Sequence, residues 1–123
     1  MFLPDTNIFI LGLKGKQPEA NFLARAISAN KLAISVIAVG EFLAKAEGEG
    51  RKSFMKLMER FGTLIIDEQT AQIAADYRKI SLKTKRVQML DCFLAAQAKL
   101  HNLTLVTNNK ADFPMKDIRA ITP

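Results

Sequence analysis

Short apolar segments alternate with segments of helical periodicity along the whole sequence. The apolar segments, which predict strands, are residues 1–5, 32–35, 63–66, 103–107 and 118–121. The helical segments are residues 7–13, 18–30, 36–46, 51–61, 67–85 and 89–101. This alternation favours an α/β fold, in which a doubly wound parallel sheet carries helices on both faces. The 123 residues are predicted to form a single domain, residues 1–123.

Glycine, proline and serine set the predicted ends of several elements. Gly12 and Gly15 are expected to end the first helix, and EGEG at residues 47–50 is expected to break the third. Pro4 lies in the first predicted strand, which is therefore expected to be short or kinked, because proline cannot donate a ladder hydrogen bond. Ser35 or a neighbour can cap the helix that follows the second strand.

Acidic side chains lie at strand ends or on helices close to them. Asp5 ends the first strand, and Asp112 lies just past the strand that ends at Thr107, in LVTNNKADF. Glu41 lies on the helix after the second strand, and Asp91 lies in the first turn of an otherwise apolar helix. Ligands of doubly wound sheets bind beyond the carboxyl ends of the strands. The sequence therefore predicts that these four acids meet at one edge of the sheet.

Four carboxylates at close range repel one another, so each resists ionisation unless a cation neutralises the group. Sites with few carboxylates and retained waters suit Mg²⁺ or Mn²⁺. Such an ion activates water and stabilises charge on a phosphoryl group. The predicted chemistry is thus metal-dependent cleavage of a phosphodiester. For Asp91 taken alone, a capping role at the helix N-terminus is the simpler interpretation.

Basic residues outnumber acidic ones, with 18 Lys and Arg against 12 Asp and Glu and a net charge of +6. This imbalance favours an anionic partner, most simply nucleic acid. One cluster contains Lys83, Lys85 and Arg86, which are candidate RNA-binding residues, and a second lies within residues 45–60. For any single lysine, a solvated helix face is the simpler interpretation.

Cysteine content and hydropathy indicate a cytoplasmic protein without a membrane span. The single cysteine, Cys92, excludes an intrachain disulfide and favours a reducing compartment. The apolar first 13 residues lack a basic leader and a cleavage site, which argues against a signal peptide. A dyad of Cys92 with His101 is not expected, because their spacing puts them on opposite faces of one helix.

Four sequence blocks, in order, resemble the PIN-domain family and, by size, VapC-type ribonuclease toxins of prokaryotic toxin–antitoxin pairs. The blocks are Asp-Thr-Asn at residues 5–7, Glu41 after the second strand, Asp91 in DCFLAAQA, and LVTNNKADF at residues 105–113. The resemblance covers essentially the whole chain. It implies a Mg²⁺-dependent endoribonuclease, often a homodimer, that a cognate antitoxin inhibits by placing its tail in the site.

The resemblance also implies roles for individual residues. Catalytic and metal-binding roles fall on Asp5, Glu41, Asp91 and Asp112. Asn109 stands where many relatives carry a further acid, so Asp112 is expected to bind the metal either directly or through water.

Polar neighbours are candidates for supporting the carboxylates. Asn7 can brace Asp5, while Thr107 and Asn109 can hydrogen-bond the carboxylates or a metal-bound water. For Asn108, a turn role is the better interpretation.

Two other functions remain open from the sequence. The first is a PIN-fold module that binds RNA or a partner and has weak or no activity; intact acids at all four positions count against it. The second is a small-molecule phosphohydrolase with an aspartyl-phosphate intermediate. Such an enzyme is expected to carry a second acid close to Asp5, and Asn7 counts against it.

Overall fold

The computed structural model describes all 123 residues. Three short strands are present, β1 (Phe2–Pro4), β2 (Thr104–Val106) and β3 (Arg119–Ile121). The six α-helices are α1 (Thr6–Leu13), α2 (Glu19–Ser28), α3 (Val36–Leu43), α4 (Gly48–Phe61), α5 (Glu68–Ser81) and α6 (Met89–Leu100). A short 3₁₀ turn, Lys110–Asp112, lies between β2 and β3. None of the helices is both long and apolar enough to span a bilayer.

The strands form a parallel sheet in the order β1-β2-β3. Two further segments extend it beyond β1 through single parallel bridges, Phe2 to Leu32 and Ser35 to Leu64. The spatial order is therefore residues 63–66, residues 32–35, β1, β2 and β3. After β1, the next two segments of the chain are added on one side of β1, and β2 and β3 are then added on its other side. The point of reversal lies between β1 and β2, where ligands of such sheets bind.

Side chains alternate between two cores, one on each face of the sheet. Leu32, Ile34 and Val106 belong to the core shared with α1 to α4. Leu3 and Leu105 point to the opposite face, where α6 packs and Tyr77 of α5 contributes from its edge. This period of two is what parallel strands buried on both faces require. The predicted doubly wound α/β fold with helices on both faces is confirmed.

The second and third predicted strands are shorter than expected, because each pairs through one bridge only. Ser35 ends the second segment and immediately caps α3, where its side-chain oxygen accepts a hydrogen bond from the Ile37 amide at 3.1 Å. A segment that passes directly into a helix cannot form further hydrogen bonds with a neighbouring strand. Pro4 ends β1 in the same way, since Asp5 caps the next helix.

The first helix ends at Leu13 as predicted. It contains Gly12, where an added Cβ would lie 2.4 Å from Cδ1 of Leu23, so glycine permits the approach of α2. Two other helix boundaries differ from the prediction. The EGEG stretch does not break a helix but opens α4 at Gly48. The helix predicted over residues 67–85 ends at Ser81, where the Ser81 hydroxyl accepts from the Val87 amide at 3.2 Å and so folds the chain back.

Candidate active site

Asp5 lies at the point where the sheet order reverses. Its backbone amide donates to the Val106 carbonyl at 2.9 Å, which joins the end of β1 to the end of β2. Its carboxylate is the N-cap of α1 and accepts from the Ile8 amide at 3.4 Å. One carboxylate therefore caps a helix and faces the crevice beyond the strands.

Glu41 lies on α3 and reaches back toward the start of α1. The Thr6 hydroxyl donates a hydrogen bond of 2.6 Å to Oε1 of Glu41. Because Thr6 directly follows Asp5 in the chain, this contact fixes the second acid beside the first.

Asp91 and Asp112 complete the acidic group from the other side of the crevice. Asp91 is the third residue of α6, and the cap position is occupied by Gln88. Asp91 therefore lies in the first turn of α6 without being its N-cap, where a negative charge still favours the helix N-terminus. Asp112 ends the 3₁₀ turn that follows β2.

All four acids line one cavity of about 440 Å³. Asn7 and Lys45 also line it, and Lys45 is the single basic residue in its wall. The structure therefore brings together four carboxylates that the sequence places on four separate segments. No three acidic, histidine or cysteine side chains are arranged to hold one metal ion together.

The carboxylates of the cavity perturb one another. The pKa of Asp91 is raised to about 6, first by burial and then by the charges of Asp112, Asp5 and Glu41. Burial also raises the pKa of Asp5, against the opposing effect of hydrogen bonds from Thr107 and from nearby backbone amides. Such mutual repulsion is a feature of sites built to receive a cation.

The raised pKa of Asp91 predicts how the metal-free protein responds to pH. Since the folded state favours the neutral acid, the free energy of unfolding falls as the pH rises from about 4 through about 6. Asp91→Asn removes this loss and is expected to stabilise the protein by about 1 kcal/mol at pH 7.5, after allowance for solvent screening.

Urea unfolding of the Asp91→Asn protein in a chelating buffer tests this prediction. The stabilisation should shrink as the pH approaches 4, where Asp91 is protonated in the folded state and the pH is close to its ordinary pKa of 3.8 in the unfolded state. A constant difference between pH 4 and pH 7.5 would show that the effect comes from packing.

The supporting residues expected from the sequence act on Asp5 in different ways, through a side chain or through the backbone. Thr107 is buried and interacts with Asp5, and Asn7 lines the cavity while its backbone amide hydrogen-bonds the Asp5 carboxylate. Asn109 donates its backbone amide to the Thr107 hydroxyl at 3.1 Å, but its exposed side chain is not part of the cavity wall. The support from Asn7 and Asn109 therefore comes through the backbone.

Several residues of the site were not assigned a role from the sequence. Thr6 orients Glu41, and a signal for it lay in its position next to Asp5. Lys45 follows Glu41 by four residues, the spacing that puts two side chains on one helix face. Asn108, for which the sequence favours a turn role, also donates its side-chain amide to the buried Glu19 carboxylate at 3.0 Å, and this bond ties the loop after β2 to α2. No local pattern identifies that contact.

The basic cluster expected to bind RNA lies in the loop between α5 and α6. Lys83, Lys85 and Arg86 are all exposed there. Lys85 differs from the other two because its ammonium donates a hydrogen bond of 2.8 Å to the Ala111 carbonyl. The loop therefore touches the 3₁₀ turn that carries Asp112.

Cys92 and His101 do not form a reactive pair. Cys92 is fully buried, and burial raises the pKa of its thiol. His101 is exposed at the other end of α6. Cys92 is a core residue, as expected from the sequence.

The sequence of the chain matches the model of a known family. A family model described as PIN domain matches residues 2–118. The chain belongs to the PIN domain family. As in the sequence-based prediction, the family assignment covers nearly the whole chain.

This PIN domain is similar to proteins of toxin–antitoxin systems. It is 29% identical over 116 residues to Ribonuclease VapC10 of Mycobacterium tuberculosis (strain ATCC 25618 / H37Rv), covering 94% of this chain and 87% of the relative. It superposes on DNA-bound VapBC from Salmonella typhimurium with a TM-score of 0.80 and 25% identity, covering 98% of this chain and 96% of that one.

A further structural neighbour of the PIN domain is VapBC2 from Rickettsia felis, bound to a DNA fragment from its promoter. The TM-score is 0.81 at 20% identity, covering 99% of this chain and 98% of the other. At this identity the likeness supports the fold alone.

Proposed function

We propose that this PIN domain is a Mg²⁺-dependent (or Mn²⁺-dependent) endoribonuclease and the toxin of a type II toxin–antitoxin pair. The observation that carries the proposal is the shared cavity lined by Asp5, Glu41, Asp91 and Asp112. The similarity to Ribonuclease VapC10 supports RNA as the substrate. The similarity to VapBC from Salmonella typhimurium supports the toxin–antitoxin assignment.

The donors of the cavity fit a hard divalent cation. All four are carboxylates, and Mg²⁺ prefers oxygen ligands, keeps several waters and takes only one or two protein carboxylates. An arrangement in which no three side chains converge on one point is compatible with that mode of binding. Asp5 and Asp91 are the best candidates for direct contact, because burial and like charge raise the pKa of both. Asp112 and Glu41 complete the proposed set of metal-binding and catalytic residues.

The bound ion would supply an activated water and charge stabilisation for cleavage of an RNA phosphodiester. The protein's own residues hold the geometry for this reaction. Thr6 fixes the carboxylate of Glu41, and Thr107 holds that of Asp5. Lys45, at the cavity wall, can contact a phosphate of the substrate.

RNA cleavage assays with purified protein test the proposed function. Cleavage of single-stranded RNA is expected with Mg²⁺ or Mn²⁺ and should stop in EDTA. Retained RNA binding without cleavage in either ion would instead favour the PIN-fold binding module. The absence of both binding and cleavage would contradict the proposal.

The exposed basic loop is proposed to guide RNA to the cavity. Contacts of Lys83 and Arg86 with phosphates would release counterions, so affinity should fall steeply with salt. Replacing both by Ala should lower the slope of log affinity against log salt concentration by about 1.4, or about 0.7 per contact with a single strand. Filter binding or fluorescence anisotropy at several salt concentrations measures the slope.

A matched control for the loop variant uses two basic residues at the opposite end of the strands. Lys31 and Arg119 are exposed at the amino ends of their strands. The Lys31→Ala, Arg119→Ala protein has the same net charge as the loop variant, and its salt slope should match the wild type. Equal slopes in both double variants would show that only net charge matters and would remove the loop from the RNA path.

Two protein partners belong to the same proposal. The first is a cognate antitoxin whose tail enters the acidic cavity. The second is another copy of the chain, since a homodimer is implied by the resemblance and Ile80 and Leu82 are 66% and 58% exposed at the end of α5. Light scattering of the purified protein measures the oligomeric state directly.

A further inference from the structure

Hydrogen bonds to side chains of α5 hold the loop between α5 and α6 in place. At its start, the Ser81 hydroxyl accepts from the Val87 amide at 3.2 Å. At its end, the Arg78 guanidinium donates to the Val87 carbonyl at 2.7 Å. Both ends of the loop are thus fixed to the last turn of α5. The tip, with Lys83, Lys85 and Arg86, is the part that projects.

One side chain of this tip is engaged with a different part of the molecule. The Lys85 ammonium donates to the Ala111 carbonyl at 2.8 Å. Ala111 is the middle residue of the 3₁₀ turn, and two backbone bonds hold that turn from within. They run from the Asp112 amide to the Asn109 carbonyl at 3.1 Å and from the Phe113 amide to the Lys110 carbonyl at 3.0 Å.

A three-residue 3₁₀ turn has little stability of its own, because its hydrogen-bond geometry is poor. Phe113 anchors one end of this turn in the core, while Lys110 and Ala111 are exposed. A charged donor fixed to Ala111 from outside therefore restricts the exposed half of the turn. Asp112 lies between that exposed half and Phe113. The orientation of the Asp112 side chain therefore depends both on the Lys85 contact with Ala111 and on the burial of Phe113.

We propose that Lys85 is a positioning residue for Asp112, acting through the Ala111 carbonyl, rather than a third phosphate contact of the basic loop. Its effect on catalysis rests on the proposed nuclease function; its effect on the turn does not. Lys83 and Arg86 remain the residues of the tip that are free for RNA. The same loop thus holds the substrate with two side chains and one acid of the cavity with the third.

The test compares Lys85→Met, which keeps the aliphatic stem but removes the donor and the charge, with Lys85→Arg, which keeps both. Lys116→Met is the control, since Lys116 is exposed, follows the same turn in the chain, and its replacement changes the charge equally. Amide hydrogen exchange at Asp112 and Phe113 is measured in the metal-free protein. Lys85→Met should accelerate exchange about tenfold, while Lys85→Arg and Lys116→Met should match the wild type.

Titration with Mg²⁺ alone separates positioning from simple charge. Removing a positive charge near carboxylates strengthens cation binding if charge is all that changes. A displaced Asp112 weakens it instead, by about tenfold for the loss of a supporting contact. Lys85→Met should therefore bind Mg²⁺ more weakly than the wild type, and Lys116→Met equally or more tightly. In RNA cleavage, Lys85→Met should lower kcat with little change in KM.

Three results would overturn the assignment. The first is unchanged amide exchange at Asp112 and Phe113 in Lys85→Met. The second is tighter Mg²⁺ binding in that protein. The third is a rise in KM at constant kcat, which would make Lys85 an RNA contact. A wild-type protein that cleaves no RNA would defeat the proposed function alone, because exchange still decides whether Lys85 holds the turn.

Discussion

Asp5→Asn is expected to abolish RNA cleavage, with a loss of at least ~100-fold, while the metal-free protein remains as stable as the wild type or becomes more stable. Asparagine caps helices about as well as aspartate, so the start of α1 should be preserved. Burial raises the pKa of Asp5, which means that the folded state holds its charge at a cost near neutral pH. Removing that charge therefore favours folding. Cleavage rates and thermal melting in EDTA measure the two effects.

Asp67 provides a matched control, because it caps α5 outside the cavity. Its carboxylate accepts from the Thr70 hydroxyl at 2.6 Å and from the Thr70 amide at 2.8 Å. These bonds, the hydroxyl first, lower the pKa of Asp67, so its charge contributes stability that is lost as the pH falls through that lowered pKa. Asp67→Asn should slightly destabilise the protein at pH 7 and leave cleavage unchanged. A large fall in melting temperature for Asp5→Asn would assign Asp5 a structural role.

Replacement of Gln97 by Leu should destabilise the fold by about 3 kcal/mol and lower the melting temperature by about 10 °C. Gln97 is fully buried on α6. Its amide nitrogen donates to the carbonyls of Leu64 and Ile65 at 3.0 and 3.1 Å, and its amide oxygen accepts from the Ser35 hydroxyl. Leucine fills the space but leaves the Ser35 hydroxyl without an acceptor and the Ile65 carbonyl without its donor. An unpaired polar group costs more than the loss of the bond itself.

The exposed Gln72 of α5 is the control for this substitution. Gln72→Leu makes the same chemical change in solvent and should alter stability by no more than about 0.5 kcal/mol. Chemical denaturation of both variants gives the comparison. A loss below about 1 kcal/mol for Gln97→Leu would mean that water or local movement replaces the lost partners.

The order of strands and helices could be predicted because it depends on local periodicity. The apolar run at residues 103–107 and the helical spacing in α6 are signals carried by neighbouring residues. The length of the strands at residues 32–35 and 63–66 could not, since Ser35 ends one ladder by capping a helix. The residue at which α5 ends could not be predicted for a similar reason. The apolar pattern of α5 continues past Ser81, and only the hydrogen bond from the Val87 amide to the Ser81 hydroxyl shows where the chain turns.

The four acids of the candidate site could be predicted because parallel strands share one carboxyl edge. Their immediate surroundings could not. The contact of Thr6 with Glu41 and that of Lys85 with Ala111 join segments far apart in sequence, so no local pattern contains them. Gln97 also looks like an ordinary residue of an amphipathic helix, and its importance depends on two strand segments that reach it from elsewhere.

The pairing of β1 with β2 joins Phe2 to Thr104, two residues that lie far apart in the sequence. A polypeptide still under synthesis lacks β2 and the turn with Asp112 until those residues have been added. Before that point, β1 has no neighbour on one side and the acidic cavity has only part of its wall. Folding that depends on such distant contacts is also slow. If the proposed nuclease function holds, a nascent chain should be unable to cut RNA close to its own ribosome until the segment through Asp112 has emerged and folded.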